Sequence, residues 1–201
     1  MSTAPPSASS RPSERPSRRR WTSRDLALVA AFAGLIAALG LPGPLYLPGN
    51  AVPVTAQTLG VMLAGSLLGW RRGAAAVGVL LVLVAAGLPL LAGGRGGLAV
   101  FAGPSVGYLL CWPLAAAVIG VLARRFLPRY PLGWGILVNV LGGIVLVYAV
   151  GVPVSAAVLG GQLWPAVVQS AAYLPGDLLK SVVAAVVTAG VLRAQPSLLR
   201  P

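Results

Sequence analysis

The chain has 201 residues, no histidine and a single cysteine, Cys111. A disulfide framework is therefore excluded, and a zinc or haem centre lacks its commonest ligands, so no metal site is expected. Negative charge is scarce. Three acids, Glu14, Asp25 and Asp177, stand against fifteen basic residues, of which only Lys180 is a lysine, giving a net charge of +12. Charged residues make up 9% of the chain and hydrophobic ones 57%, with a mean hydropathy of +0.88, a balance foreign to water-soluble globules. The arginines fall in short clusters between apolar runs instead of forming one stripe with interleaved aromatics, so no nucleic-acid partner is expected. The composition implies an all-α, polytopic membrane protein.

Other absences narrow the chemistry. There is no histidine to act as base and no second carboxylate within the apolar body to form a dyad, so no catalytic residue is assigned and the chain is read as no enzyme. A Walker A loop ends in Gly-Lys, whereas Lys180 follows Leu179. The chain has no ATP site of that kind and no cofactor is expected; active uptake would need a separate ATPase or an ion gradient.

Residues 1–24 are rich in Ser, Pro and Arg and read as a disordered cytoplasmic arm able to touch anionic lipid heads. Residues 25–193 read as the membrane domain and 194–201 as a short tail. Apolar runs between proline, glycine and arginine breaks predict six spanning helices: Leu26–Leu41, Val54–Trp70, Gly73–Leu91, Ser105–Leu122, Leu132–Val150 and Pro175–Leu192. Gly151–Ala172, broken by Pro153, Gly160, Gly161 and Pro165, reads as a loop with a short interfacial helix. With both termini inside, all of the fifteen basic residues except Arg95 and Lys180 fall on the cytoplasmic side, as the positive-inside rule requires. Along the first helix Ala30, Gly34 and Ala38, flanked by Ala27 and Ala31, form a small-residue face that lets another helix approach closely.

Asp177 and Lys180 are the only carboxylate and the only lysine within the apolar body, in Tyr173-Leu-Pro-Gly-Asp-Leu-Leu-Lys180. Pro175 and Gly176 suit a helix start, where N–H groups favour a nearby anion, and Lys180 lies on the same face. Ionisable residues at membrane depth commonly face a cavity and mark a substrate site. Thr55, Gln57 and Thr58 begin the second helix on the same side, and a glycine-dense loop, 92–108, carries Arg95, Gly97, Ser105 and Tyr108. The charges of Asp177, Lys180 and Arg95 sum to +1, which a small monoanion with an amide-like group would neutralise.

Three segments in order, VPVTAQTLGVMLAGSLLGWRRGA from Val52, GLPLLAGGRGGLAVFAGPSVGYLL from Gly87 and LPGDLLK from Leu174, resemble the BioY family, the substrate-binding S components of energy-coupling-factor biotin transporters. That resemblance implies a six-helix bundle in the bacterial cytoplasmic (inner) membrane, both termini cytoplasmic, with a biotin pocket open outward. Asp177 and Lys180 would then contact biotin, with Arg95, Thr55, Gln57, Gly97, Ser105, Tyr108 and Tyr173 around it. Ala27, Ala30, Ala31, Gly34 and Ala38 would dock the transmembrane coupling protein, which works with two ATPase subunits; membrane lipid is the remaining partner. The residues alone leave open an S component for another anionic vitamin, or a membrane scaffold. The family's usual GPTGGY is GPSVGY here, and Leu91 stands where its PVFA segment has an aromatic.

Overall fold

The structure, a computed structural model, describes residues 21–46, 52–127 and 129–195. Most of the arm, the tail beyond 195 and part of the loop Pro42–Pro53 lie outside the described residues. Among those described there is no strand, only two isolated bridges, Leu45 with Val54 and Leu91 with Arg95.

Helix α1 spans Ser23–Ala38. It starts earlier than the apolar run because Thr22 and Asp25 form a reciprocal cap: the Asp25 N–H donates to Thr22 Oγ1 at 3.2 Å and the Thr22 N–H to Asp25 Oδ2 at 2.9 Å. Its inward face carries Val29, Ala33 and Ile36; Ala27, Ala30, Ala31, Gly34 and Ala38 are all exposed.

Helix α2, Gln57–Leu63, runs into a π-helical turn, Ala64–Leu68, and α3 covers Gly69–Ala85. The path is not straight. Gly69 has φ +77°, and a Cβ on Gly73 would lie 2.7 Å from the Ala64 carbonyl, although nine residues of straight helix would separate them by about 13 Å. The chain therefore doubles back at Gly69, a position suited to the one residue that enters positive φ without steric cost. Sequence reading put this break at Arg71-Arg72; those arginines instead occupy the first turn of α3, because the conformational break belongs to the glycine and not to the charges.

Helix α4 spans Val106–Ala123. Helices α5 (Leu132–Val140) and α6 (Val147–Val158) are joined without interruption by a second π turn, Leu141–Leu146. This corrects the expected helix end at Val150. Pro153 removes one donor, yet Gly151, Val152, Ser155 and Ala156 are buried and α6 packs extensively on α4, so packing sustains the helix past the proline. The short helix expected after it is α7, Leu163–Ala171, and α8 spans Leu174–Ala194.

By length and apolarity, four helical stretches among the described residues can cross a membrane: Gln57–Ala85, Val106–Phe126, Leu132–Val158 and Leu174–Ala194. Helix α8 shows the logic most plainly. Its polar Asp177, Ser181 and Thr188 are buried, while Leu178, Leu179, Val182, Val183, Val186 and Val187 are exposed. Water would favour the reverse arrangement; hydrocarbon favours this one. Because lipid tails are as apolar as leucine, the buried Ile36, Leu80, Ile119 and Val138 hold the helices together through close packing more than through removal from water.

The bend yields a test. Gly69→Ala forces an L-residue into positive φ and drives its methyl into the Arg124 guanidinium, so a loss of about 1–3 kcal/mol is expected. Gly78, helical and with open space at its Cβ position, should gain up to about 1 kcal/mol as alanine. Thermal melting of both variants in detergent distinguishes them, and equal melting temperatures would contradict the assigned bend.

Candidate ligand-binding site

The N-terminal turns of α2, α4 and α8 meet α6 and the 52–55 and 91–95 segments around a recess. It encloses about 610 Å³ between atoms, its open mouth included. Its wall includes Asp177, Lys180, Tyr148, Thr58, Trp112 and Arg95.

At one side lies the ion pair. Lys180 Nζ is 2.8 Å from Asp177 Oδ1, one helical turn apart, and donates a second hydrogen bond to Thr58 Oγ1 of α2 at 3.1 Å. The Tyr148 hydroxyl of α6 donates to Asp177 Oδ2 at 2.6 Å. An ammonium has three donors and a carboxylate about four acceptor positions. One donor and two acceptor positions thus remain beyond these bonds, on a pair that borders open space and does not face lipid.

The other walls are held by neutral hydrogen bonds. Gln57, 1% exposed, donates from Nε2 to the carbonyls of Ile36 (3.1 Å) and Leu90 (3.0 Å) and accepts from the Ala92 N–H (3.0 Å). One amide thereby ties the end of α1 and the 90–92 segment to α2. The Tyr173 hydroxyl donates to the Val52 carbonyl at 2.6 Å, fixing the start of α8 against the 52–54 segment. Tyr108 Oη lies 2.9 Å from Ser170 Oγ, and Ser170 Oγ donates to Ala166 O at 2.7 Å; Tyr108 is therefore the donor to Ser170. The Tyr108 ring packs edge-on to Tyr148, centroids 6.2 Å apart, and leaves no room for a side chain at Gly151, whose Cβ would overlap it. Arg95 is half-buried and donates from Nε to Ala92 O at 3.2 Å, which leaves the outer fork of its guanidinium.

Asp177, Lys180, Arg95, Thr55, Gln57, Ser105, Tyr108 and Tyr173 all line this recess. Gly97 does not; its N–H donates to Val84 O at 2.7 Å and ties the loop to α3. Gln57 and Tyr173 direct their polar atoms to backbone, so their contribution is to shape. Sequence reading passed over Tyr148 and Trp112. The available signal was a phenol in the middle of an apolar span, since a buried Tyr hydroxyl needs a partner and Asp177 is the nearest strong acceptor.

Against known proteins, a sequence model of the BioY family matches residues 13–197. The chain belongs to the BioY family. It is 47% identical over 182 residues to the biotin transporter BioY of Rhizobium etli, covering 88% of this chain and 97% of that one. To the biotin transporter BioY of Rhodobacter capsulatus it is 43% identical over 189 residues, with the same coverage. A solved S-component for biotin from an ECF-type ABC transporter superposes with a TM-score of 0.80 at 28% identity, over 87% of this chain and 95% of that one. The relatives are named as transporters and not as enzymes, and this BioY-family chain shares the S-component fold.

Gln57→Leu removes two N–H donors and one acceptor from three backbone groups. At about 1–3 kcal/mol for a buried orphan, a loss of at least 2 kcal/mol is expected, read as a melting temperature several degrees lower. Thr55→Val, at a side chain with no such tie, should leave the melting temperature near that of the parent; equal effects would remove Gln57 from its role as the clamp.

Proposed function

We propose that this chain captures biotin on the outer side of the bacterial cytoplasmic membrane as the S component of an energy-coupling-factor uptake system. Supporting this is one observation above the rest: the Asp177–Lys180 pair keeps two acceptor positions and one donor at the wall of the recess. A ureido ring offers the complement, two N–H donors and one carbonyl acceptor. Biotin also carries a carboxylate on an apolar chain, and Arg95, with its planar fork at the recess, suits that group. Leu91, Leu109 and Val147 supply apolar wall for the chain and the thioether ring.

In this reading the bundle crosses the membrane six times, through α1, α2 with its π turn, α3, α4, the continuous α5–α6 and α8, with both termini in the cytoplasm. The bend at Gly69 makes two crossings of one long helical stretch. The exposed small residues Ala27, Ala30, Ala31, Gly34 and Ala38 of α1 are the surface for the coupling protein, and ATP hydrolysis belongs to two partner ATPases. Reorientation of the loaded bundle on that partner would deliver biotin inward.

Equilibrium binding of labelled biotin to the purified chain in detergent tests the assignment. Asp177→Asn removes charge from the acceptor and Lys180→Ala removes the donor; each should raise Kd by tenfold or more, the ~1.5–3 kcal/mol of a charge-assisted hydrogen bond, while the circular dichroism spectrum stays helical. Unchanged affinity in both variants would move the site elsewhere. Failure of the parent to bind biotin, with retention of another anionic vitamin, would replace the substrate and keep the transporter reading.

A further inference from the structure

At the end of the bundle opposite the recess lies a second cleft, lined by Trp21, Asp25, Leu68, Trp70, Arg71, Arg72 and Arg124, and enclosing about 520 Å³ with its open side included. Helix α4 measures the separation: Ser105 before its first turn lines the recess and Arg124 after its last turn lines the cleft, roughly 28 Å apart along the axis. Arg72 is neutralised by Asp25 at 2.5 Å. Arg124 donates from Nη2 to the Leu68 carbonyl at 3.1 Å, which satisfies an oxygen at the Gly69 bend. Arg71 differs from both. It is exposed and, among the described residues, has neither hydrogen-bond nor ion-pair partner; its guanidinium carbon lies 5.7 Å from the Trp21 ring centre and 5.8 Å from that of Trp70. Those indoles hold its cationic face and leave its N–H edge. The first turn of α3 adds the positive end of a helix dipole at the same place.

We propose that this cleft binds the phosphate headgroup of an anionic phospholipid of the inner leaflet. The open N–H edge of Arg71 borders the cleft, and fork-shaped guanidinium donors match phosphate oxygens. The indoles argue for a lipid over a free phosphate. Trp21 and Trp70 are 44% and 52% exposed, and tryptophans at a helix end settle at headgroup level, where an acyl chain continues alongside their rings. The assignment rests on the proposed placement of this end at the cytoplasmic membrane surface, but not on the identity of the ligand in the recess.

Native mass spectrometry of the full chain released from nanodiscs of mixed phosphatidylglycerol and phosphatidylcholine tests it. The parent should retain phosphatidylglycerol preferentially. Arg71→Gln should lower that retention roughly fivefold, the effect of one arginine at a charged membrane surface, and Trp70→Leu should lower it as well. Arg125→Gln, at an exposed arginine one residue beyond the cleft, should change it less than twofold. Excess inorganic phosphate should not displace the lipid. Equal retention of the two lipids, equal effects of Arg71→Gln and Arg125→Gln, or displacement by phosphate would each overturn the proposal, the last in favour of a free-phosphate site. Biotin affinity of Arg71→Gln, measured in parallel, should match that of the parent, so failure of the substrate assignment and failure of the lipid site show up separately.

Discussion

A carboxylate and an ammonium set among apolar helices impose the constraint around which the rest of this molecule is arranged. Their mutual attraction offsets the loss of hydration only when the remaining lone pairs and protons also find partners. Asp177 and Lys180 share one turn of α8, but their supporting bonds come from elsewhere: Tyr148 on α6 and Thr58 on α2. Three helices must therefore converge on one point, and the charges fix their separation. The recess follows from that convergence, because Tyr148 and Thr58 leave part of the hydrogen-bonding capacity of the pair facing open space. On the proposed function a polar ligand would complete the set, so the electrostatic requirement of the fold and the chemical requirement of binding would be met by the same four side chains.

Below the pair the polar thread continues without charge. Ser181 donates to the Asp177 carbonyl at 2.9 Å, Asn139 reaches the Ser181 carbonyl at 3.5 Å, and Ser66 donates to Asn139 at 3.3 Å. These links join α8 to the α5 end of the long helix and to the π turn after α2. Each π turn frees backbone groups and changes the helix face that meets a neighbour, and both lie against Ile119 of α4. In a medium where apolar contact alone does not distinguish one helix pairing from another, such bonds select which helices pair and in which register.

Much of this was legible in the residues. Asp177 and Lys180 stood out because ionisable groups are scarce here, and the scarcity itself carried the information. The loop residues Arg95, Ser105 and Tyr108 came to the same recess because the membrane restricts the chain to few layouts and the arginine clusters fix which ends lie together. The small residues of α1 fell on its exposed face, as helical spacing dictated. Three things were not legible, for physical reasons. The bend at Gly69 looked like part of a helix because a lone glycine within an apolar run is compatible with either outcome; in the folded chain the Arg124 guanidinium, 55 residues later, packs beside it. The passage of α6 through Pro153 depended on packing against α4, which no local signal encodes. Gln57 pointed to a ligand as a polar residue near the membrane surface, but its three partners are backbone groups that only the folded chain brings within reach.

The two ends of the bundle use different physics, and this bears on how each responds to its surroundings. Around the recess, Gln57, Tyr173 and Tyr108 act through neutral bonds to backbone or hydroxyl groups, and the one ion pair is largely buried, with side-chain exposures of 15% and 10%. Mobile ions do not reach such contacts, so they persist across ionic strengths. At the opposite end Arg72 joins α3 to α1 through Asp25, in a pair about as buried, with side-chain exposures of 19% and 6%, and Arg124 caps the bend. Arg71 there is open to solvent between its indoles, within reach of screening by salt and of attraction to a charged membrane. The exposed cation Arg71 thus lies at the end remote from the recess, so its response to salt and membrane charge leaves the buried bonds that shape the recess in place.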